Sequence, residues 1–342
     1  MGKTAHRKRI KRIILLTAAS TVIAVFLLTI VSIWGLMKRG ERQLYDGVDG
    51  LMPDMSQAAG CVQNGSSIMY KGQLYEYDTS NINVLCMGVD ARGEDEKVGQ
   101  ADMLALLVFN PEKKSVKCIC INRDSIGPVV VYGVAGKPVT TAEIQIALAY
   151  SYGGTQAEGR ELEKNTVSGL LYDIPINGSV SADIDGIGDM NAIAGGVTLK
   201  ALEDVPRAGI SEGETLTLTD EQAMYYVTER ESASSEIGTN ERRIARQKQY
   251  ISTWCDSVQK ILRRDLFDVL DMYDTMKEYI DTDISKESML YLAKTFGTAG
   301  MNDDDIYVVP GKYEREDYYD RYLIDEEQLA DMLIEIFYRK VE

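Results

Sequence analysis

The chain has 342 residues with 37 Lys and Arg against 53 Asp and Glu, a formal net charge of −16. Its single histidine, His6, lies in a basic amino-terminal tail, which excludes a Ser-His-Asp triad, a Cys-His pair and any His-ligated zinc site in the rest of the chain. The first 39 residues carry 8 Lys and Arg and no acid, leaving 29 basic and 53 acidic residues beyond them, a net of −24. A domain this acidic is no general nucleic-acid binder, so any phosphate chemistry requires a local basic pocket.

In chain order, Lys3, Arg7, Lys8, Arg9, Lys11 and Arg12 precede Ile13 to Met37, 25 residues without Asp, Glu, Lys or Arg. That length crosses a bilayer as a helix. Six cations before it against Lys38 and Arg39 after it orient residues 1–12 to the cytoplasm and the remainder outside the plasma membrane, as a single-pass protein. Trp34-Gly35-Leu36-Met37 offers no small-residue cleavage site, so the segment reads as a signal anchor. Residues 38–80 show little sustained periodicity and read as an extracellular stalk. From residue 81 to about 262 apolar strands alternate with helical stretches, as in one α/β or α+β domain. Residues 263–342 read as a helical extension packing on or following it.

Three apolar runs, Asn83 to Val89, Met103 to Phe109 and Val116 to Ile121, have strand length. Asn110 to Ser115 forms a hairpin loop between the last two. If the hairpin closes symmetrically, Asp102 falls opposite Arg123, and the segment from Asp90 to Ala101 starts and ends at one sheet edge. Asp90, Asp102 and the Arg123-Asp124 pair then meet there, hard carboxylate oxygens beside a phosphate-gripping guanidinium. Cys86, Cys118 and Cys120 sit within apolar strands as core residues; a disulfide involving Cys61 is not fixed by spacing.

Thr141 to Tyr152 and Gln156 to Leu171 are predicted helices, Gly178 to Ile184 a strand, and Gly195-Gly196 a turn after a further helix. Thr219 with Gln222 has capping-box spacing and opens a helix reaching Arg230. A longer helix from about Glu241 to Leu262 presents Arg243, Arg246 and Gln247 along the flank of its apolar seam. A strand at Ile306 to Val309 and a helix from Glu326 to Tyr338 close the chain, and Tyr313 to Tyr322, dense in Tyr, Asp, Glu and Arg, reads as an acidic loop, with a glycan-contacting surface as the alternative.

Together, Gly88-Val89-Asp90-Ala91-Arg92, Gln100-Ala101-Asp102, Asn122-Arg123-Asp124, Tyr150-Ser151-Tyr152-Gly153-Gly154, Gly195-Gly196-Val197, Tyr226-Val227-Thr228-Glu229-Arg230 and Arg243-Ile244-Ala245-Arg246-Gln247 resemble the LytR-CpsA-Psr family of bacterial cell-envelope proteins, over roughly residues 81–256. The resemblance implies α-β-α layers around a central mixed sheet with a long apolar pocket for a polyprenyl chain. It also implies a membrane-anchored phosphotransferase that moves an anionic glycopolymer from its polyprenyl-pyrophosphate carrier to peptidoglycan. Carried onto this chain, Asp90 and Asp102 bind Mg²⁺ or Mn²⁺ and Arg123, Arg230, Arg243 and Arg246 hold the phosphates; Asp102 and these arginines form the catalytic set. Arg92, Gln100, Asp124 and Gln247 complete the pyrophosphate pocket, and the implied partners are the lipid-linked polymer, peptidoglycan and membrane lipid, with no nucleic acid. Many members carry Arg where this chain has Gln100 and Thr228. A carrier-binding regulator without turnover, or a lipid-carrier pyrophosphatase, are the other classes compatible with those exchanges.

Overall fold

The computed structural model describes residues 31–90, 99–133, 137–229, 239–299, 302–316 and 319–341. Helix α1 (31–46) leads into β1 (Cys61–Asn64), β2 (Ser67–Tyr70), β3 (Gln73–Tyr77), β4 (Ile82–Asp90), β5 (Gln100–Asn110), β6 (Ser115–Ile121), β7 (Ile126–Tyr132) and β8 (Pro138–Gln145). There follow α2 (Leu148–Ser151), α3 (Gln156–Leu170), β9 (Gly178–Asp183), α4 (Ile187–Ile193), β10 (Thr198–Lys200), β11 (Thr215–Thr217), α5 (Asp220–Thr228), α6 (Thr239–Arg264) and α7 (Asp268–Met276). The chain ends with β12 (Ile280–Thr282), α8 (Lys286–Thr298), β13 (Ile306–Val308), β14 (Gly311–Glu316), β15 (Tyr319–Ile324), α9 (Glu326–Phe337) and β16 (Tyr338–Lys340).

The central sheet has six strands in the order β12-β9-β4-β5-β6-β13. It is mixed: β4 and β9 pair parallel, as do β13 and β6, and the other neighbours run antiparallel. Strand β4 is buried on both faces, which is why it reads as a nearly continuous apolar run. Leu85, Met87 and Val89 pack with Val167 of α3 and Leu333 and Phe337 of α9 on one side. Ile82 and Val84 pack with Cys255, Val258 and Leu262 of α6 and Phe296 of α8 on the other. These are the expected α-β-α layers.

Three stretches differ from the sequence reading. Residues 38–80 are folded onto the body: α1 runs to residue 46, and β1, β2 and β3 form a sheet with the C-terminal β16. Met55, Ile68, Tyr70 and Tyr77 are buried in the main core, contacts between distant segments that no local periodicity reveals. Thr141 to Gln145 belongs to a strand, because β-branched Thr140 and Thr141 find partners in Val131 and Val130 across the β7–β8 hairpin; the helix is confined to Leu148–Ser151. Tyr313 to Tyr322 falls within a hairpin, β14 with β15, rather than a loop.

Residues 263–342 are integral to the domain: β12 and β13 form both edges of the central sheet, and α8 and α9 cover opposite faces. All five cysteines are free, and burial pushes the Cys86 and Cys255 thiols up to about 12, as suits packing residues. Among the described residues no helix is long and apolar enough to cross a membrane. Positions 13–30 of the expected anchor lie outside the described residues.

A chain begun at residue 81 would leave Tyr338 and α9 without Ile68, Tyr70 and Tyr77. With each large buried side chain contributing about 2–5 kcal/mol, the fragment is expected to melt at least ~10 °C below residues 31–342 or to stay unfolded, as circular dichroism melting would report.

Candidate functional site

The polar residues of the site hang on one irregularity. Strands β4 and β5 keep register from Ile82 opposite Phe109 to Gly88 opposite Met103, then shift, with Val89 opposite Ala101 and Asp90 opposite Gln100. Asp102 is the extra residue of a β-bulge. The bulge puts Gln100 and Asp102 on the same face as Met103, Leu107 and Phe109, whereas strict alternation would have turned them away. Gly88 permits this, since a Cβ there would lie 3.1 Å from the Met103 Cβ.

The β5–β6 hairpin closes with Asn110 opposite Ser115 and Leu104 opposite Ile121, the symmetric register that sets Asp102 against Arg123. Arg123 Nη1 ion-pairs with Asp102 Oδ1 and Arg123 Nη2 donates to Gln100 Oε1 at 2.8 Å. From α6, Arg243 Nη2 donates to the Asp102 carbonyl oxygen at 3.3 Å, and its Nη1 lies 3.8 Å from Asp102 Oδ2. The Arg243 side chain is 3% exposed, so the Asp102 carboxylate serves as the counter-charge that permits its burial. Two guanidinium groups on one carboxylate give the acidic domain a local cationic site.

These groups form the head of a cavity of about 1380 Å³, larger than an ordinary small-ligand pocket. Asp90, Gln100, Asp102, Arg123, Arg243 and Gln247 line the head. The body runs between the sheet and helices α4 to α8, over Ile187, Trp254, Val258, Leu292 and Phe296, and seven of the chain's 14 methionines line it. Methionine packs adaptably, which suits an irregular apolar chain. Such a site takes an amphiphile with a long apolar tail and an anionic head.

Other expected residues are placed differently. Arg92 and Arg230 lie outside the described residues. Arg246 does not line the cavity: its Nε is 3.0 Å from Glu203 Oε1, its Nη2 donates to the Glu229 carbonyl, and its guanidinium lies 5.9 Å from the Tyr226 ring centroid. Burial lowers its pKa, against the pull of Glu203. Gln247 lines the cavity while its Nε2 donates to the Val227 carbonyl at 3.1 Å, tying α6 to α5. Thr228 turns its hydroxyl to the Met224 carbonyl at 2.7 Å, the back-bond of a helical threonine, and adds no charge at the head. Asp124 is not in the cavity wall; it accepts from Gln145 and Tyr313 on the hairpin side.

Sequence reading missed Glu203, Gln145 and Glu163, which come from distant segments and carry no local motif. Glu163 of α3 is fully buried and accepts the Tyr150 N–H at 3.0 Å. Burial pushes its carboxyl well above the usual carboxylate range; the Tyr150 N–H and the charge of Arg123 pull the other way. The acid form is therefore the one favoured by folding, and this contribution is present below about pH 4.5 and fades as pH rises through the higher folded value. Glu163→Gln is expected to flatten that part of the stability–pH curve, gaining on the native protein as pH rises and not in acid, as denaturant titrations between pH 4 and 8 would measure.

Comparison with solved structures gives the same fold at low identity. The crystal structure of B. subtilis TagV aligns at a TM-score of 0.58 and 21% identity, covering 75% of this chain and 97% of that one. TagT bound to LIIa-WTA aligns at 0.56 and 21%, covering 76% and 92%. Among curated relatives, the polyisoprenyl-teichoic acid–peptidoglycan teichoic acid transferase TagU of Halalkalibacterium halodurans is 28% identical over 252 residues, 72% of this chain and 75% of that protein. The TagU of Bacillus anthracis is 25% identical over 276 residues, 78% and 80% of the two chains. Fold and cavity thus define a three-layer α/β protein with a polar-headed apolar pocket. The LytR_cpsA_psr family model matches residues 57–336, and the chain belongs to that family.

Proposed function

We propose that this protein is a phosphotransferase that takes an anionic glycopolymer from a polyprenyl-pyrophosphate carrier and joins it to peptidoglycan through a phosphodiester. The observation that carries the reading is the continuity of a long apolar cavity with a head holding Arg123 and Arg243 beside Asp90 and Asp102. A polyprenyl chain fits the first and a pyrophosphate the second. The names of the TagU relatives support the same donor and acceptor classes.

In this reaction an acceptor hydroxyl of the glycan attacks the polymer-proximal phosphorus. A new P–O bond forms, the bridging P–O bond of the pyrophosphate breaks, polyprenyl phosphate leaves, and the hydroxyl proton passes to a base or to the leaving phosphate. Phosphoryl transfer depends on positioning and charge neutralisation more than on a side-chain nucleophile, so a domain without histidine is equipped for it. Arg123 and Arg243 neutralise phosphate charge, while Gln100 holds the Arg123 fork in place through a neutral contact. Asp102 and Asp124 are the carboxylates near enough to Arg123 to take the proton.

The donor set also fits a hard divalent cation. Asp90 and Asp102 supply two carboxylates at the cavity head, and Mg²⁺ is commonly held by one or two carboxylates together with substrate phosphate oxygens and water. Mg²⁺ or Mn²⁺ there would neutralise charge on the pyrophosphate as the leaving group departs. We place residues 13–37 in the plasma membrane, with the tail in the cytoplasm and the domain outside it, from the cation asymmetry around that segment.

Incubation of residues 31–342 with a lipid-pyrophosphate-linked oligosaccharide and peptidoglycan fragments is expected to give a phosphodiester-linked conjugate with Mg²⁺ and none with chelator. Tight lipid binding without conjugate would favour a carrier-binding regulator, which the neutral Gln100 and Thr228 also suit. Release of free oligosaccharide phosphate would instead indicate a pyrophosphatase. Asp102→Ala, which removes both the proposed ligand and the partner of Arg123 and Arg243, is expected to lower transfer by about 100-fold or more in single-turnover assays.

A further inference from the structure

The chain Asn122-Arg123-Asp124 divides at the end of β6. Arg123 turns into the cavity head, whereas Asp124 and Asn122 are absent from the cavity wall and face the hairpin β14–β15. There Gln145 Nε2 donates to Asp124 Oδ1 at 3.1 Å, the Tyr313 hydroxyl donates to Asp124 Oδ2 at 3.4 Å, and Asn122 Nδ2 donates to the Tyr313 hydroxyl at 2.6 Å. Asn122 is buried, whereas Asp124, Gln145 and Tyr313 are partly exposed, the Asp124 side chain at 15%.

The hairpin is also held by two bonds that use none of these side chains, to which Gln145 adds a third. The Tyr322 N–H donates to the Asp124 carbonyl at 2.9 Å, Gln145 Nε2 donates to the Asp320 carbonyl at 2.9 Å, and the Tyr322 hydroxyl donates to the Val309 carbonyl at 2.9 Å. The Tyr313 ring rests edge-on against buried Tyr322, with centroids 5.1 Å apart. A side-chain amide, a carboxylate and a supported phenol are the group types that read sugar hydroxyls and the apolar face of a pyranose ring. They sit one residue from a phosphate-holding arginine, with Asp124 Oδ1 3.5 Å from Arg123 Nε.

Displacement at phosphorus places the incoming and leaving oxygens roughly in line on opposite sides. With the lipid phosphate leaving toward the apolar body, the incoming hydroxyl meets the phosphorus from the opposite end of the head, and this cluster adjoins that head through the contact of Asp124 with Arg123. We propose that Asp124, Gln145 and Tyr313 form the subsite for the acceptor saccharide, with buried Asn122 fixing the Tyr313 hydroxyl, so that the hairpin β14–β15 sets which glycan hydroxyl is presented. This inference rests on the transferase reading and adds to it the binding surface of the second substrate.

The test measures two affinities separately, those of a peptidoglycan oligosaccharide and of a polyprenyl phosphate, by calorimetry on residues 31–342. Gln145→Ala and Tyr313→Ala are expected to weaken saccharide binding by about 10-fold while lipid affinity stays within about twofold. Tyr313→Phe keeps the packing on Tyr322 and is expected to lose part of the saccharide affinity through the hydroxyl alone, so it reports even if Tyr313→Ala fails to fold. Saccharide binding unchanged in Gln145→Ala and Tyr313→Phe, or lipid affinity falling in step with it, would overturn the subsite. Failure of the native protein to bind polyprenyl phosphate would be a different result, overturning the transferase reading and with it the role given to this cluster.

Discussion

The ion pairs that Asp102 makes with Arg123 and Arg243 organise the site. Arginine is expensive to bury without a counter-charge, and Arg243 is almost fully buried at the wall of an apolar cavity. The carboxylate that offsets this cost stands on a bulged strand, reached by one arginine from the end of a neighbouring strand and by the other from a helix about 140 residues further along the chain. Sheet edge, helix α6 and cavity head are thereby held to one another by charge. The same constraint lets a strongly acidic domain present cations to a phosphate without a broad basic surface.

Around that point the fold separates two tasks. One face of the central sheet is filled by α3, α9 and the small sheet, a closed core with large side chains such as Tyr150, Phe337 and Leu85 fully buried. The other face meets α6, α7 and α8 less completely, and the space left between them is the cavity. A continuous strand sequence is compatible with both, because each face of β4 and β5 is apolar whether it meets side chains or a ligand chain. Methionines concentrated on the cavity side let that wall adjust to what it holds without polar groups entering it.

Arg246 illustrates what helical spacing leaves open. It lies three residues from Arg243 on the same flank of α6, yet its guanidinium reaches Glu203 and the end of α5, where it fastens one element to another. Gln247 has a comparable fastening role while remaining at the cavity. Thr228 bonds its own helix, so the neutral residues at positions 100 and 228 add no charge to the cavity, whose described lining cations are Arg123, Arg243 and Arg207.

Local sequence determined a good deal. Alternation of apolar strands and helical stretches, the Asn110–Ser115 turn and the capping box at Thr219 placed β4 to β6, α3, α5 and α6, and hairpin symmetry alone put Asp102 against Arg123, because antiparallel register follows from the turn. Tertiary structure decided what pairs at a distance. Residues 40–80 have no periodicity of their own because their strands are completed by the last strand of the chain, and Tyr313 to Tyr322 is a hairpin because Asp124 and Gln145 receive it. The bulge at Asp102, the burial of Glu163 and the separation of Arg243 from Arg246 depend on contacts between segments far apart in the chain, which a linear pattern of residue types does not encode.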